Sequence, residues 1–169
     1  MVSTGLGSLS RRARYLMPTA LVACCLPVLL LRGAPAGAAP AVDGGYWLVA
    51  LDGGVFTFGD AGYYGSLVGV VSGTGGTKTV ALAPDPHGGG YWLASANGAV
   101  AAFGDAPSFS SAAGLPLSAP VVGLAATPDG GGYWEVAADG GVFSYGDAHF
   151  YGSMGSERLN ALVGGIASS

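Results

Sequence analysis

A seventeen-residue motif occurs three times in this 169-residue chain, and that recurrence constrains the fold more than any other feature. Residues 45–61 read GYWLVALDGGVFTFGDA, residues 90–106 read GYWLASANGAVAAFGDA, and residues 132–148 read GYWEVAADGGVFSYGDA. The tyrosines Tyr46, Tyr91 and Tyr133 stand 45 and 42 residues apart, while the distance from each Tyr to the Gly of Gly-Asp-Ala is 13 in every copy. Length varies between units and not within them, as expected for rigid hairpins joined by loops. Each unit divides into four short β segments. Strand B begins at Tyr-Trp (46–51 in the first copy). It turns at Asp52-Gly53, Asn97-Gly98 or Asp139-Gly140, dipeptides suited to a two-residue type I′ turn. Strand C returns over 54–58, Gly-Asp turns the chain again, and strand D follows at 62–67 and 150–154. Strand A lies between units, at 79–83 and 121–126, and ends in Pro-Asp. Four strands in 42 to 45 residues is the period of a propeller blade.

The alternation within strand B adds a packing rule. Tyr46 and Trp47 are adjacent, so they face opposite sides of their sheet. A sheet with aromatics on both faces needs a layer on each, which stacked blades supply. Composition agrees: 32 glycines are poorly suited to helix interiors, and a hydrophobic content of 50% excludes a disordered polyelectrolyte. Glycine at every third position, as in collagen, is absent.

The first 38 residues are a different object. Arg11, Arg12 and Arg14 precede an uncharged apolar run over 15–31, and Ala36-Gly37-Ala38 has the small-x-small form that a signal peptidase accepts. The expected reading is a secretory signal peptide cut after Ala38. An uncleaved anchor, a lipobox at Leu21-Val22-Ala23-Cys24 and a twin-arginine signal at Ser10-Arg11-Arg12 are the alternatives, and each still sends the chain out of the cytoplasm. Cleavage removes both cysteines and leaves Lys78 and Arg158 against all ten acidic residues. Nucleic acid and anionic lipid, which need clustered cations, are therefore not expected partners; membrane contact is expected only through an uncleaved signal.

The expected architecture is all-β: three four-stranded antiparallel blades over 39–169, partial or completed by oligomerisation. Blade one takes 42–71 together with a C-terminal strand at 161–169; blade two takes 78–114 and blade three 119–158. The tail 161–169 parallels 119–127 and is expected to pair with the first unit, as ring-closing strands do. Three blades fall below the four to eight of typical propellers, so a homo-oligomer, an open stack or a piece of a longer exported protein are the choices.

The pattern G-Y-W-[LE]-V-A-x-D-G-G-V-F-x-[FY]-G-D-A-x-[FY]-Y-G-S resembles repeats of secreted actinobacterial proteins. It covers about 42–169. The resemblance implies a propeller-like fold, often appended to cell-wall hydrolases or peptidases, and no catalytic module accompanies the repeats here. Copy two departs most, with Ala101 for Phe56 and Ser108-Phe109-Ser110 for Tyr63-Tyr64-Gly65.

The residues offer little catalytic chemistry. His87 and His149 lie in loops, no G-x-S-x-G elbow is present, and a triad drawn from His149, Asp147 and a nearby Ser has no specific spacing. Asp60, Asp105 and Asp147 occupy the same turn three times, where general acid and base work needs two carboxylates in unlike environments. They are expected to close Asx turns, with calcium as the alternative. Gly53, Gly98 and Gly140 are read as turn glycines. Tyr63, Tyr64 and Tyr151, near a sheet edge, are the candidate ligand-binding aromatics, with a cell-wall or extracellular glycan as the matching partner. No catalytic residue, metal or cofactor is assigned. The expected role is a secreted, non-enzymatic binding or scaffolding protein at the cell surface; the alternatives are a lectin-like glycan-binding module or the propeller fragment of a larger exported cell-wall hydrolase or peptidase.

Overall fold

A computed structural model describes residues 44–68 and 77–169. The export-signal reading of residues 1–38 lies outside them. The described chain is all-β and forms eight strands with no helix among the described residues: β1 (Gly45–Val49), β2 (Val55–Gly59), β3 (Thr79–Pro84), β4 (Gly90–Ser95), β5 (Val100–Gly104), β6 (Val121–Ala126), β7 (Gly132–Ala137) and β8 (Val142–Gly146). They pair into three antiparallel sheets, β1-β2, β3-β4-β5 and β6-β7-β8. The B and C hairpins thus form in all three units, and the A strand forms in the second and third.

Register sorts the side chains as the alternation requires. Tyr46 lies opposite Phe58 and Leu48 opposite Phe56 on one face of the first sheet, with Trp47 opposite Thr57 and Val49 opposite Val55 on the other. The second and third sheets repeat this with Tyr91 opposite Phe103 and Tyr133 opposite Tyr145. The sheets then stack by one rule. The Trp face of the first, with Trp47, Val49 and Val55, packs on the Tyr face of the second, with Tyr91, Leu93 and Phe103. The Trp face of the second, with Trp92, Ala94 and Val100, packs on Tyr133 and Tyr145 of the third. The aromatic geometry is reproduced: Trp47 to Tyr91 is 6.1 Å at 62° and Trp92 to Tyr133 is 5.9 Å at 59°. Tyr64 meets Tyr91 edge-on at 5.5 Å, as Phe109 meets Tyr133 at 5.6 Å. Such edge contacts put the positive ring rim against the negative ring face.

Three sequence expectations change. The segments 62–67 and 150–154, read as strand D, form no strand. Each is pegged at two points instead. The Trp indole N–H donates to the carbonyl fifteen residues on, Trp47 to Gly62, Trp92 to Pro107 and Trp134 to His149, each at 2.8 Å. Further on, Leu67 N–H donates to Gly53 O and Met154 N–H to Gly140 O. A carbonyl engaged by an indole is turned away from a ladder, and Gly65 and Gly152 break the extended run at φ 139° and 132°.

The hairpin loops also differ from the expected two-residue turns. Gly53 N–H donates to Ala50 O while Ala50 N–H donates to Gly54 O, so the loop is Leu51-Asp52-Gly53, a turn followed by a left-handed glycine in a bulge. Units two and three match, with Gly98 N–H to Ser95 O and Gly140 N–H to Ala137 O. The glycine is required here. At Gly98 φ is 82°, and a Cβ would come within 2.6 Å of the Ala112 Cβ. Gly98→Ala is expected to cost about 2 kcal/mol, the left-handed penalty plus the displacement of Ala112, read as a lowered urea midpoint with unchanged slope.

Finally, the tail 161–169 forms no strand and does not pair with β1, whose partner among the described residues is β2 alone. It lies against the third sheet. Val163 N–H donates to Ala138 O at 2.9 Å, and the Gly165 and Ile166 backbone passes over Gly123.

Candidate binding site

The Trp face of the third sheet ends the stack among the described residues, and it carries the most site-like concavity. Pro128, Trp134, Val142, Tyr151, Gly152 and the 166–169 tail line a hollow of about 340 Å³. Strand β7 places Trp134 mid-strand, and its indole bond to His149 O brings the following segment across the sheet. That peg sets Tyr151 at 6.3 Å from Trp134 and edge-on to His149 at 4.8 Å. The result is an open aromatic corner with Tyr151 83% exposed.

The sequence candidates separate. Tyr151 and Tyr63 are exposed. Tyr64 is not: its hydroxyl donates to Gly88 O at 2.6 Å, its ring packs on Tyr91, and its N–H donates to the Tyr91 hydroxyl. It is part of the interface between the first two sheets, so its expected role as an exposed aromatic is corrected. The sequence weighs the Tyr-Trp pairs as a sugar-stacking platform but favours blade core, and weighs His149 only for a triad; the structure brings Trp134 and His149 into the site together with Ile166, which no motif had singled out. Their signal was positional, since they belong to the last unit of a stack.

Asp60, Asp105 and Asp147 stand at the B–C hairpin mouths, where their backbone N–H groups donate to Gly44, Gly89 and Gly131 carbonyls. The Asx pattern expected of them occurs at the opposite end of the hairpins. Asp52 Oδ1 accepts from Gly54 N–H, Asn97 Oδ1 from Ala99 N–H and Asp139 Oδ1 from Gly141 N–H, at 3.0 to 3.1 Å. Gly53, Gly98 and Gly140 sit in those same loops at positive φ. Among the described residues no three His, Cys, Asp or Glu side chains cluster as metal ligands. His87 pairs with its neighbour Asp85 at 3.1 Å.

One ionisable group is out of place. Glu135 occupies the column filled by Leu48 and Leu93 in the other units, on the Tyr face of the third sheet, and is fully buried. Its Oε2 accepts from Ala112 N–H at 3.0 Å and its Oε1 has no partner. Burial pushes its carboxyl up to about 7, against the weaker opposing effect of the Ala112 N–H. Burial, with the Glu135 charge behind it, also raises the Tyr133 hydroxyl and pushes Tyr145 up to about 12. These groups lie between sheets, away from the hollow.

No protein family, curated protein or solved structure matches this chain.

Proposed function

We propose that this chain is a secreted, non-enzymatic repeat module of β-propeller type that binds or scaffolds at the cell surface. The observation that carries the blade reading is the stacking rule, in which the same Trp face covers the same Tyr face twice with matching ring geometry. A second observation supports it. β3, β6 and the 166–168 tail run side by side around a shared hollow lined by Leu82, Ala83, Leu124, Ala125 and Ile166. Innermost strands of successive blades border a common axis in this way. The export signal read from residues 1–38 supplies the location.

The test is expression of the full chain in a secreting bacterial host. The expected product is recovered outside the cells, begins at Ala39 by mass spectrometry, and sediments with purified cell wall. Retention in the cytoplasm with an intact N-terminus overturns the reading.

A second reading, a lectin-like glycan site, is favoured by the Trp134, His149 and Tyr151 corner, whose flat apolar faces suit sugar rings. Titration of the monomeric Leu48→Lys variant, whose corner is open, with cell-wall sugars is then expected to quench tryptophan fluorescence, and adding Tyr151→Ala to abolish the quenching. An unquenched titration removes the lectin reading.

A further inference from the structure

The stacking rule leaves two half-interfaces uncovered among the described residues. At one end is the Tyr face of the first sheet, where Tyr46, Leu48, Phe56 and Phe58 are exposed, in contrast to buried Tyr91, Leu93 and Tyr133. At the other is the Trp face of the third, with Trp134, Val142 and Tyr151 around the open hollow. These are the two complementary halves of an interface the chain already makes twice. Contiguous exposed apolar surface of this kind marks an association site.

We infer that a second copy of this chain docks head to tail, the third sheet of each copy covering the first sheet of its partner, with the 161–169 tail added as the inner strand beside the partner's β1. The inference rests on the blade stack proposed above and extends it by naming the partner. Inner strands start in one way throughout: Thr79 N–H donates to Leu51 O and Val121 N–H to Ala96 O, both at 2.9 Å. Val163 N–H makes the same bond to Ala138 O. The tail therefore sits where an inner strand begins, and it carries the right side chains, since Val163-Gly164-Gly165-Ile166-Ala167 follows Val121-Val122-Gly123-Leu124-Ala125. In β6, Leu124 pairs with Glu135 and Ala125 with Trp134. The same register sets Ile166 opposite Leu48 and Ala167 opposite Trp47 of the partner.

The edge of β1 that is unpaired among the described residues accepts such a strand through its backbone groups, the β-augmentation mode. The rings follow suit. Tyr91 hydroxyl donates to Gly65 O and Tyr133 hydroxyl to Ser110 O, each nineteen residues after the Tyr of the preceding unit. Gly152 holds that place in the third unit, so the partner's Tyr46 hydroxyl donates to Gly152 O while its ring meets Trp134 and Tyr151. Repeated head-to-tail contacts either close or run on as a filament. Two copies make six blades, within the usual four to eight, and three make nine.

Light scattering on the full chain, with its all-β content checked by circular dichroism, tests this. The expected mass is twice the monomer's. Leu48→Lys destroys the accepting face and Ile166→Asp the donated strand, so each variant alone is expected to be monomeric and unchanged in circular dichroism. Mixing them restores one intact interface, between the donated strand of the Leu48→Lys copy and the accepting face of the Ile166→Asp copy, and a dimer reappears. Misfolded variants would not complement, so restoration separates lost contacts from lost structure. A folded wild-type monomer at 100 μM, a filament, or failure of complementation by folded variants overturns the inference. A folded monomer that still binds cell wall overturns it while leaving the proposed function standing; a helical spectrum removes both.

Discussion

Replacing Trp92 with alanine is expected to remove about 3–5 kcal/mol of stability. Trp92 is fully buried between the second and third sheets, and its ring contacts Tyr133 and Phe109. The substitution leaves a cavity in a layer held on both sides. It also frees the Pro107 carbonyl that its indole caps. A domain of this size has roughly 5–15 kcal/mol in all, so the variant stands near the threshold of folding. Urea titration measures the loss, and Trp92→Phe separates its parts. Phenylalanine keeps much of the buried ring and gives up the indole N–H, for an expected cost nearer 1–2 kcal/mol. In the monomeric Leu48→Lys variant, where no partner covers it, Trp134→Ala is expected to cost clearly less than Trp92→Ala. Equal losses at the two positions would contradict the stacking rule.

Stability is also expected to fall as pH rises from about 4.5 to 7, by on the order of 3 kcal/mol from Glu135 alone. The folded chain holds the Glu135 proton up to about pH 7, whereas the unfolded chain releases it near 4.5. Between those values the folded state binds more protons, so each step upward in pH favours unfolding. Below that window the contribution is fully present, and above it the loss is complete. Glu135→Gln keeps an acceptor for the Ala112 N–H and removes the titration, so the difference between wild type and Glu135→Gln isolates this group. Glu135→Leu restores the column of Leu48 and Leu93 and is expected to be more stable than wild type at pH 8. A pH-independent difference between wild type and Glu135→Gln would place the carboxyl in contact with water.

Much of the fold was legible because it is local. Tyr-Trp adjacency, Asp-Gly or Asn-Gly turns and Pro-Asp endings describe the B and C strands and the A strands within one unit, and these formed. Strand D was misread because its extended pattern is indistinguishable from a strand until one knows that an indole claims its carbonyl. The turn type was misread by one residue, since a dipeptide does not reveal which flanking residue joins the loop. The site was far less legible. Tyr64 and Tyr151 lie in nearly the same local sequence, Tyr63-Tyr64-Gly65-Ser66 and Phe150-Tyr151-Gly152-Ser153, yet one is packed and the other 83% exposed. The difference is whether another sheet follows, which no local pattern encodes. Glu135 did carry a signal, as the one charged residue in a leucine column.

The indole peg has a consequence for how the chain comes to its shape. Each of the three closes a loop of fifteen residues, and the farthest side-chain hydrogen bond among the described residues joins positions 27 apart. Contacts this local have low loop-closure entropy and favour rapid folding. Each hairpin can therefore set on its own, and each new one finds its seat on the sheet already formed.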